Sequence, residues 1–162
     1  MIIVVMGVAG SGKSTIGTLL AQRLQWPFYD GDDFHPPANI DKLRQAIPLT
    51  DRDRHLWLQA LRHLIDTQIA AQQSCVLACS ALKASYREQL TPPHSPIEFV
   101  YLQGTFTQIQ ARLAQRTGHF MNPKLLASQF AILEQPPTGI MLDIADPPHQ
   151  LVQQICTALN LP

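Results

Sequence analysis

The chain has 162 residues, with twelve basic and twelve acidic side chains that cancel to a formal net charge of zero. That neutrality, with no basic stripe along the sequence, argues against nucleic acid and anionic membrane surfaces as partners. An apolar share of 46% against 15% charged residues excludes a disordered chain. It suits one domain, 1–162, able to bury about 70% of its unfolded surface.

Residues 2–6, IIVVM, are a continuous apolar run with no basic region before it and a Gly-rich segment directly after, which reads as a buried strand and not a signal peptide. Residues 14–24 place Ile16, Leu19, Leu20 and Leu24 on one helical face. A second strand is predicted over 27–30. A long helix follows over 51–71, with Leu58, Leu61, Leu64, Ile65 and Ile69 on a stripe and an acidic start at Asp51. Strands over 75–79, 97–102 and 140–144 alternate with helices over 108–116, 123–133 and 148–159, where proline suits a first turn. The first, third and fifth strands show little alternation, as in a parallel sheet covered on both faces. The expectation is an α/β fold with a mostly parallel five-stranded sheet flanked by helices, its strand order open. The proline pairs at 92–93, 136–137 and 147–148 read as loops. No apolar run approaches the roughly 20 residues of a membrane span. Cys75, Cys79 and Cys156 form no CxxC pair, so reduced buried thiols in a cytoplasmic protein are expected.

Gly7-Val8-Ala9-Gly10-Ser11-Gly12-Lys13-Ser14 fits GxxxxGK[ST], with Thr15 after it, between a buried strand and an amphipathic helix. Glycines let the backbone N–H groups converge on phosphate oxygens, and the new helix adds its positive end. Lys13 then reaches the β- and γ-phosphates, and the Ser14 hydroxyl ligates Mg²⁺. The competing reading, a chance Gly-rich turn, does not account for the strand and helix on either side. Nucleoside triphosphate binding is the expectation, with Gly7, Gly10, Ser11, Gly12, Lys13, Ser14 and Thr15 as the cradle. Hydrolytic switches, motors and kinases all use such a loop, so the reaction must be read elsewhere.

In Phe28-Tyr29-Asp30-Gly31-Asp32-Asp33-Phe34-His35-Pro36, Asp30 and Asp32 stand two apart at a strand end, and extended geometry projects both to one face. The phosphate loop leaves the same edge of a parallel sheet, where ligands bind. One carboxylate then helps hold hydrated Mg²⁺ and the other accepts a proton from an attacking hydroxyl. A bland Asp/Gly turn is the alternative.

The stretches DGDDFHPPANIDKL, IPLTDRDR, CSALKASYR and HFMNPKLLASQFAILEQP, in this order, resemble the gluconokinases, small P-loop kinases related in fold to shikimate kinase and the nucleoside monophosphate kinases. The resemblance runs from Met6 to about Pro137. It implies phosphoryl transfer from ATP to the 6-hydroxyl of D-gluconate, a small mobile lid near residues 112–125, and often a homodimer. It also favours Asp32 as the base, with Asp30 supporting the metal through water. Two positions depart from the family pattern: Ala46 stands at a glycine position, and Leu56 at a proline position before Trp57.

Arg54 either belongs to a solvated helix start or forks onto the gluconate carboxylate; family position favours the second. A helix starting at Ser80 would put Lys83 and Arg87 four apart on one face, lining the hydroxy-acid pocket or simply exposed. Ser80 would bond substrate or cap that helix. Arg112 and Arg116 precede Gly118-His119-Phe120 as the hinge and tip of the lid. One of the two would cover the γ-phosphate, with Arg116 preferred and a cationic helix end as the alternative. His35 and His119 are further candidates for substrate contact. Trp26 and Trp57 read as core, and the histidines at 55, 63, 94 and 149 lack metal spacing. A shikimate kinase is a rival reading, opposed by Cys79-Ser80-Ala81-Leu82-Lys83 where such enzymes carry a Gly-rich segment. A nucleotide-dependent switch is a second, opposed by the absence of an NKxD run.

Overall fold

The computed structural model describes residues 1–115 and 123–162. Five parallel strands form one sheet: β1 (Ile2–Met6), β2 (Phe28–Asp30), β3 (Cys75–Ala78), β4 (Ile97–Gln103) and β5 (Ile140–Asp143). Their order is β2-β3-β1-β4-β5, so the most apolar strand sits in the centre. All five residues of β1 have no solvent exposure. A strand covered on both faces needs such a run, each fully buried Ile or Val being worth about 1.5–3 kcal/mol.

The two-residue period of β1 divides the core. Ile3 and Val5 pack with Ile16 and Leu20 of α1 (Lys13–Leu24) and with Leu151 and Ile155 of the last helix (Pro148–Ala158). Ile2, Val4 and Met6 face Trp57, Leu58, Leu61 and Ile65 of α3 (Asp51–Ala70), and Tyr86 and Leu90 of α4 (Ala84–Leu90). Two more helices, α5 (Phe106–Ala114) and α6 (Pro123–Ile132), add Ile109 and Leu126 to the first layer; the last helix is α7. Among the described residues no helix is long and apolar enough to cross a membrane. The three cysteines are buried and unpaired, and burial pushes the thiols of Cys75 and Cys79 up to about 11 and about 12.

Two local features differ from the sequence reading. A short helix, α2 (Pro37–Arg44), fills the segment before α3 and buries only Asn39, so its apolar period is too weak to read. It ends in a Schellman motif, with Ala46 N–H bonded to Leu43 O and Ile47 N–H to Lys42 O. That motif puts Ala46 at φ 57°, the left-handed region where glycine is the unstrained choice. The helix expected from Ser80 begins at Ala84 instead, with Lys83 as its N-cap, because Ala81 at φ 42° breaks any helix there.

Candidate active site

The carboxyl ends of β1, β2 and β3 open into one cavity of about 510 Å³. The phosphate loop forms its floor. Gly10 has φ 80°, and a Cβ there would lie 2.7 Å from Leu113 of α5; Gly12 has φ 100° as the N-cap of α1. Lys13 folds back so that its Nζ donates to Val8 O at 3.1 Å. The first turn of α1, with its positive pole, therefore meets the cavity beside the Lys13 side chain. Ser11 is buried within the loop, and among the described residues its Oγ has no hydrogen-bond partner.

Asp30 ends β2 and caps a 3₁₀ turn, Gly31–Phe34: its Oδ1 accepts from Asp32 N–H at 3.1 Å, and its Oδ2 accepts from Ser14 Oγ at 2.6 Å. The turn, not strand alternation, brings Asp32 to the same cavity as Asp30. Trp57 Nε1 donates to Gly31 O at 2.7 Å and pins this turn from below. The Trp57 ring stacks on His35, with centroids 4.5 Å apart and planes 15° apart. His35 lies 4.0 Å from an Asp32 oxygen, and Asn39 Nδ2 is 3.3 Å from its Nδ1. Burial lowers the His35 pKa below 6.5; Asp32 opposes the shift and Arg54 adds to it, so the ring is mainly neutral at pH 7.

The far wall is the start of α3. Thr50 and Asp53 form a capping box, and Lys42 pairs with Asp53 at 2.6 Å; the Lys42 and Thr50 hydrogen bonds hold the Asp53 carboxyl down at about 2. Arg54, one residue on, lines the cavity; its Nη1 donates to Leu49 O and lies 3.5 Å from Tyr86 Oη. Lys83 and Arg87 do not line the cavity. Lys83 Nζ binds both oxygens of Asp51, at 2.8 and 2.9 Å, which raises its pKa. Arg87 is buried, its Nη1 donating to the carbonyls of Ala81, Leu82 and Glu134. The shared helical face expected for the pair is absent because Lys83 precedes the helix. Ser80 lines the cavity but caps no helix, and its carbonyl accepts from Gly7 N–H at 3.3 Å. Arg116 and His119 lie outside the described residues.

A second cavity, about 330 Å³, opens on the other side of the phosphate loop between Ser11, Thr15, Arg112, Gln115, Asp146 and Pro148. Arg112 donates from Nη2 to Ile144 O, fixing the end of α5 against the loop after β5.

A family model described as Shikimate kinase matches residues 9–134. The gluconokinase of Gluconobacter oxydans is 50% identical over 83% of this chain and 75% of its own length. The thermoresistant gluconokinase of Escherichia coli is 42% identical over 83% of this chain and 77% of its own. The crystal structure of a gluconokinase from Sinorhizobium meliloti superposes with a TM-score of 0.87 at 41% identity, covering 98% of this chain and 90% of that one. The chain belongs to the gluconokinase family.

Within the gluconokinase family frame, shikimate kinase from Aquifex aeolicus shares the fold alone, at 23% identity and a TM-score of 0.62. Several residues at the site escaped the sequence reading. Gln129 of α6 accepts the Ala9 N–H of the phosphate loop at 2.7 Å and lines the main cavity. Its only sequence signal is the SQF motif shared with the gluconokinases. Trp57 is core, as read, but also walls the cavity. Tyr86 stands between the two basic residues singled out in CSALKASYR and contacts Arg54 where they do not. Leu56, the second departure from the gluconokinase pattern, is exposed on α3 and lines neither cavity.

Proposed function

We propose that this chain transfers the γ-phosphoryl group of ATP to the 6-hydroxyl of D-gluconate, giving 6-phospho-D-gluconate and ADP. One observation carries this reading: a single cavity gathers Lys13, Ser14, Asp30, Asp32 and Arg54. Phosphate ligands, an acid–base group and an anchor for a carboxylate thus share one space.

The hydroxyl oxygen attacks the γ-phosphorus in line, its bond to the β–γ bridging oxygen breaks, and the hydroxyl proton passes to Asp32. Lys13 and the loop N–H groups hold the phosphates. Ser14 and Asp30 offer hard oxygen ligands at the phosphate loop, which suits Mg²⁺, an ion that takes one or two protein oxygens beside substrate phosphates. When bound, Mg²⁺ neutralises charge on the β- and γ-oxygens. Arg54 grips the gluconate carboxylate, and neutral His35 accepts or donates one hydrogen bond to a sugar hydroxyl. The second cavity takes the base and ribose, between Arg112 and the loop carrying Asp146 and Pro148. Arg116 is the preferred residue to cover the γ-phosphate and Arg112 the alternative, its Nη1 lying 3.9 Å from where a Cβ on Gly12 of the phosphate loop would stand.

The test is ADP release with Mg-ATP, offering gluconate, shikimate, gluconate analogues and no acceptor. Turnover with gluconate far above the others is expected. Hydrolysis that no acceptor accelerates would remove the kinase reading and leave only nucleotide binding.

A further inference from the structure

Tyr86 is 2% exposed and sits in the core layer beneath α3, yet its hydroxyl lies beside Arg54, which lines the cavity. It donates to Asp51 Oδ1. Asp51 is the first residue of α3, and Lys83 Nζ binds both of its oxygens. The phenol proton is thereby committed to Asp51, and the hydroxyl presents lone pairs to its other neighbour, Arg54 Nη1 at 3.5 Å. The ring is flanked by two cations: Arg54 Cζ lies 5.6 Å from its centroid and Lys83 Nζ 5.5 Å.

Charge divides unequally between those cations. Lys83 is neutralised by Asp51. Arg54 has no carboxylate within ion-pair distance among the described residues, although it lines the cavity. Its described hydrogen bonds all leave from Nη1, to Leu49 O and Tyr86 Oη. The remaining Nε–Nη2 edge of the planar fork matches a carboxylate in two-point geometry.

We propose that Tyr86 is a positioning residue for the acceptor, acting through Arg54. The phenol holds one edge of the guanidinium so that the other meets the acceptor's carboxylate, and the Asp51–Lys83 pair sets the direction of the hydroxyl. This rests on the reading of Arg54 as the carboxylate anchor. A side chain that long otherwise samples many rotamers, and ordering it before binding lowers the cost of binding. The contact is the same in ground and transition states, so its loss falls on KM and not on kcat.

A double-mutant cycle separates the two claims. Tyr86→Phe keeps the ring and removes only the hydroxyl; it is expected to raise KM for gluconate about tenfold, with kcat and KM for ATP within about twofold. Arg54→Gln is expected to raise KM for gluconate at least as far, and adding Tyr86→Phe to it to change nothing more. An unaltered KM in Arg54→Gln overturns the carboxylate reading and this proposal together. A raised KM there, with Tyr86→Phe multiplying it further or raising KM for ATP equally, overturns the proposal alone. Should Tyr86→Phe fail to fold, Asp51→Asn loosens the hydroxyl from the surface. A several-fold rise in KM for gluconate supports the proposal, and an unchanged KM overturns it.

Discussion

Ser14 Oγ donates a 2.6 Å hydrogen bond to Oδ2 of Asp30, joining the first turn of α1 to the end of β2. The two residues are 16 apart in the chain, and the contact brings a hydroxyl and a carboxylate together at the phosphate loop. Ser14→Ala removes one oxygen and leaves Asp30 Oδ2 without the Ser14 hydrogen bond, Oδ1 keeping that of Asp32 N–H. The Mg²⁺ concentration for half-maximal ADP release is expected to rise about tenfold or more, a usual cost of disturbing a metal's surroundings. An unchanged Mg²⁺ dependence would place the metal elsewhere.

Asp32 is held by its backbone and little else: its N–H is bound to Asp30, while its side chain is 78% exposed towards the cavity. That suits a group that must meet a substrate proton. Asp32→Asn keeps the size and removes the basicity, so kcat is expected to fall about 10²–10⁴-fold with KM for ATP little changed. Retention of most of the turnover would assign the proton to another acceptor. The same steady-state assay measures both parameters.

The turn carrying Asp32 has almost no room to move. A Cβ on Gly31 would stand 2.7 Å from Ala78 O, a backbone atom of the strand paired with Asp30. On the other side Trp57 Nε1 is bonded to Gly31 O. Gly31→Ala is therefore expected to cost about 1–3 kcal/mol, as overpacking does. It should also displace Asp32 and lower kcat. Urea denaturation gives the first quantity and ADP release the second. Wild-type stability and turnover together would show that the turn tolerates a methyl group.

The parts of this site legible in the sequence are those whose geometry is local. Gly7 to Ser14 fix the phosphate loop by spacing, and the five buried residues of β1 announce a strand closed on both faces. Strand order was not legible because it rests on pairings between segments far apart in the chain, β1 lying between β3 and β4, and no local period marks such a pairing. Asp30 and Asp32 were legible as a pair, but the 3₁₀ turn that joins them was not. Gln129 and Ala9 are 120 residues apart, and no periodicity in α6 marks one glutamine as a ligand of the loop. The helical spacing of Lys83 and Arg87 in the sequence holds only for a start at Ser80; the left-handed Ala81 moves the start and sends Arg87 inward.

Ala46 is the departure from the family pattern with a visible consequence. At φ 57° it occupies the position after the α2 C-cap that glycine takes without strain. A left-handed alanine costs about 1–2 kcal/mol, and glycine returns about 0.4–1 kcal/mol of that through the freer unfolded chain. Ala46→Gly is expected to raise stability by up to about 1 kcal/mol, read as a higher urea midpoint at unchanged slope. A lower midpoint would mean that the alanine methyl packs usefully and that relief of strain does not decide the sign.

His35 gives the chain a pH-dependent stability whose sign follows from its surroundings. Burial against Trp57 lowers its folded pKa below 6.5; the Asp32 carboxylate opposes the shift and Arg54 reinforces it. Well above pH 6.5 the ring is neutral in both folded and unfolded chains and the group contributes no pH slope. As pH falls below 6.5 the unfolded chain takes up the proton first, so stability drops until the folded pKa is passed, and then levels off. His35→Gln removes this step. It also loses the stack on Trp57, so the quantity to compare is the change with pH and not the stability itself. Between pH 7.5 and 5.5, urea midpoints are expected to fall further for the wild type than for His35→Gln, the carboxylates and other histidines contributing equally to both. An equal fall would mean that Asp32 cancels the effect of burial at His35, and a larger fall in the variant that Asp32 outweighs it.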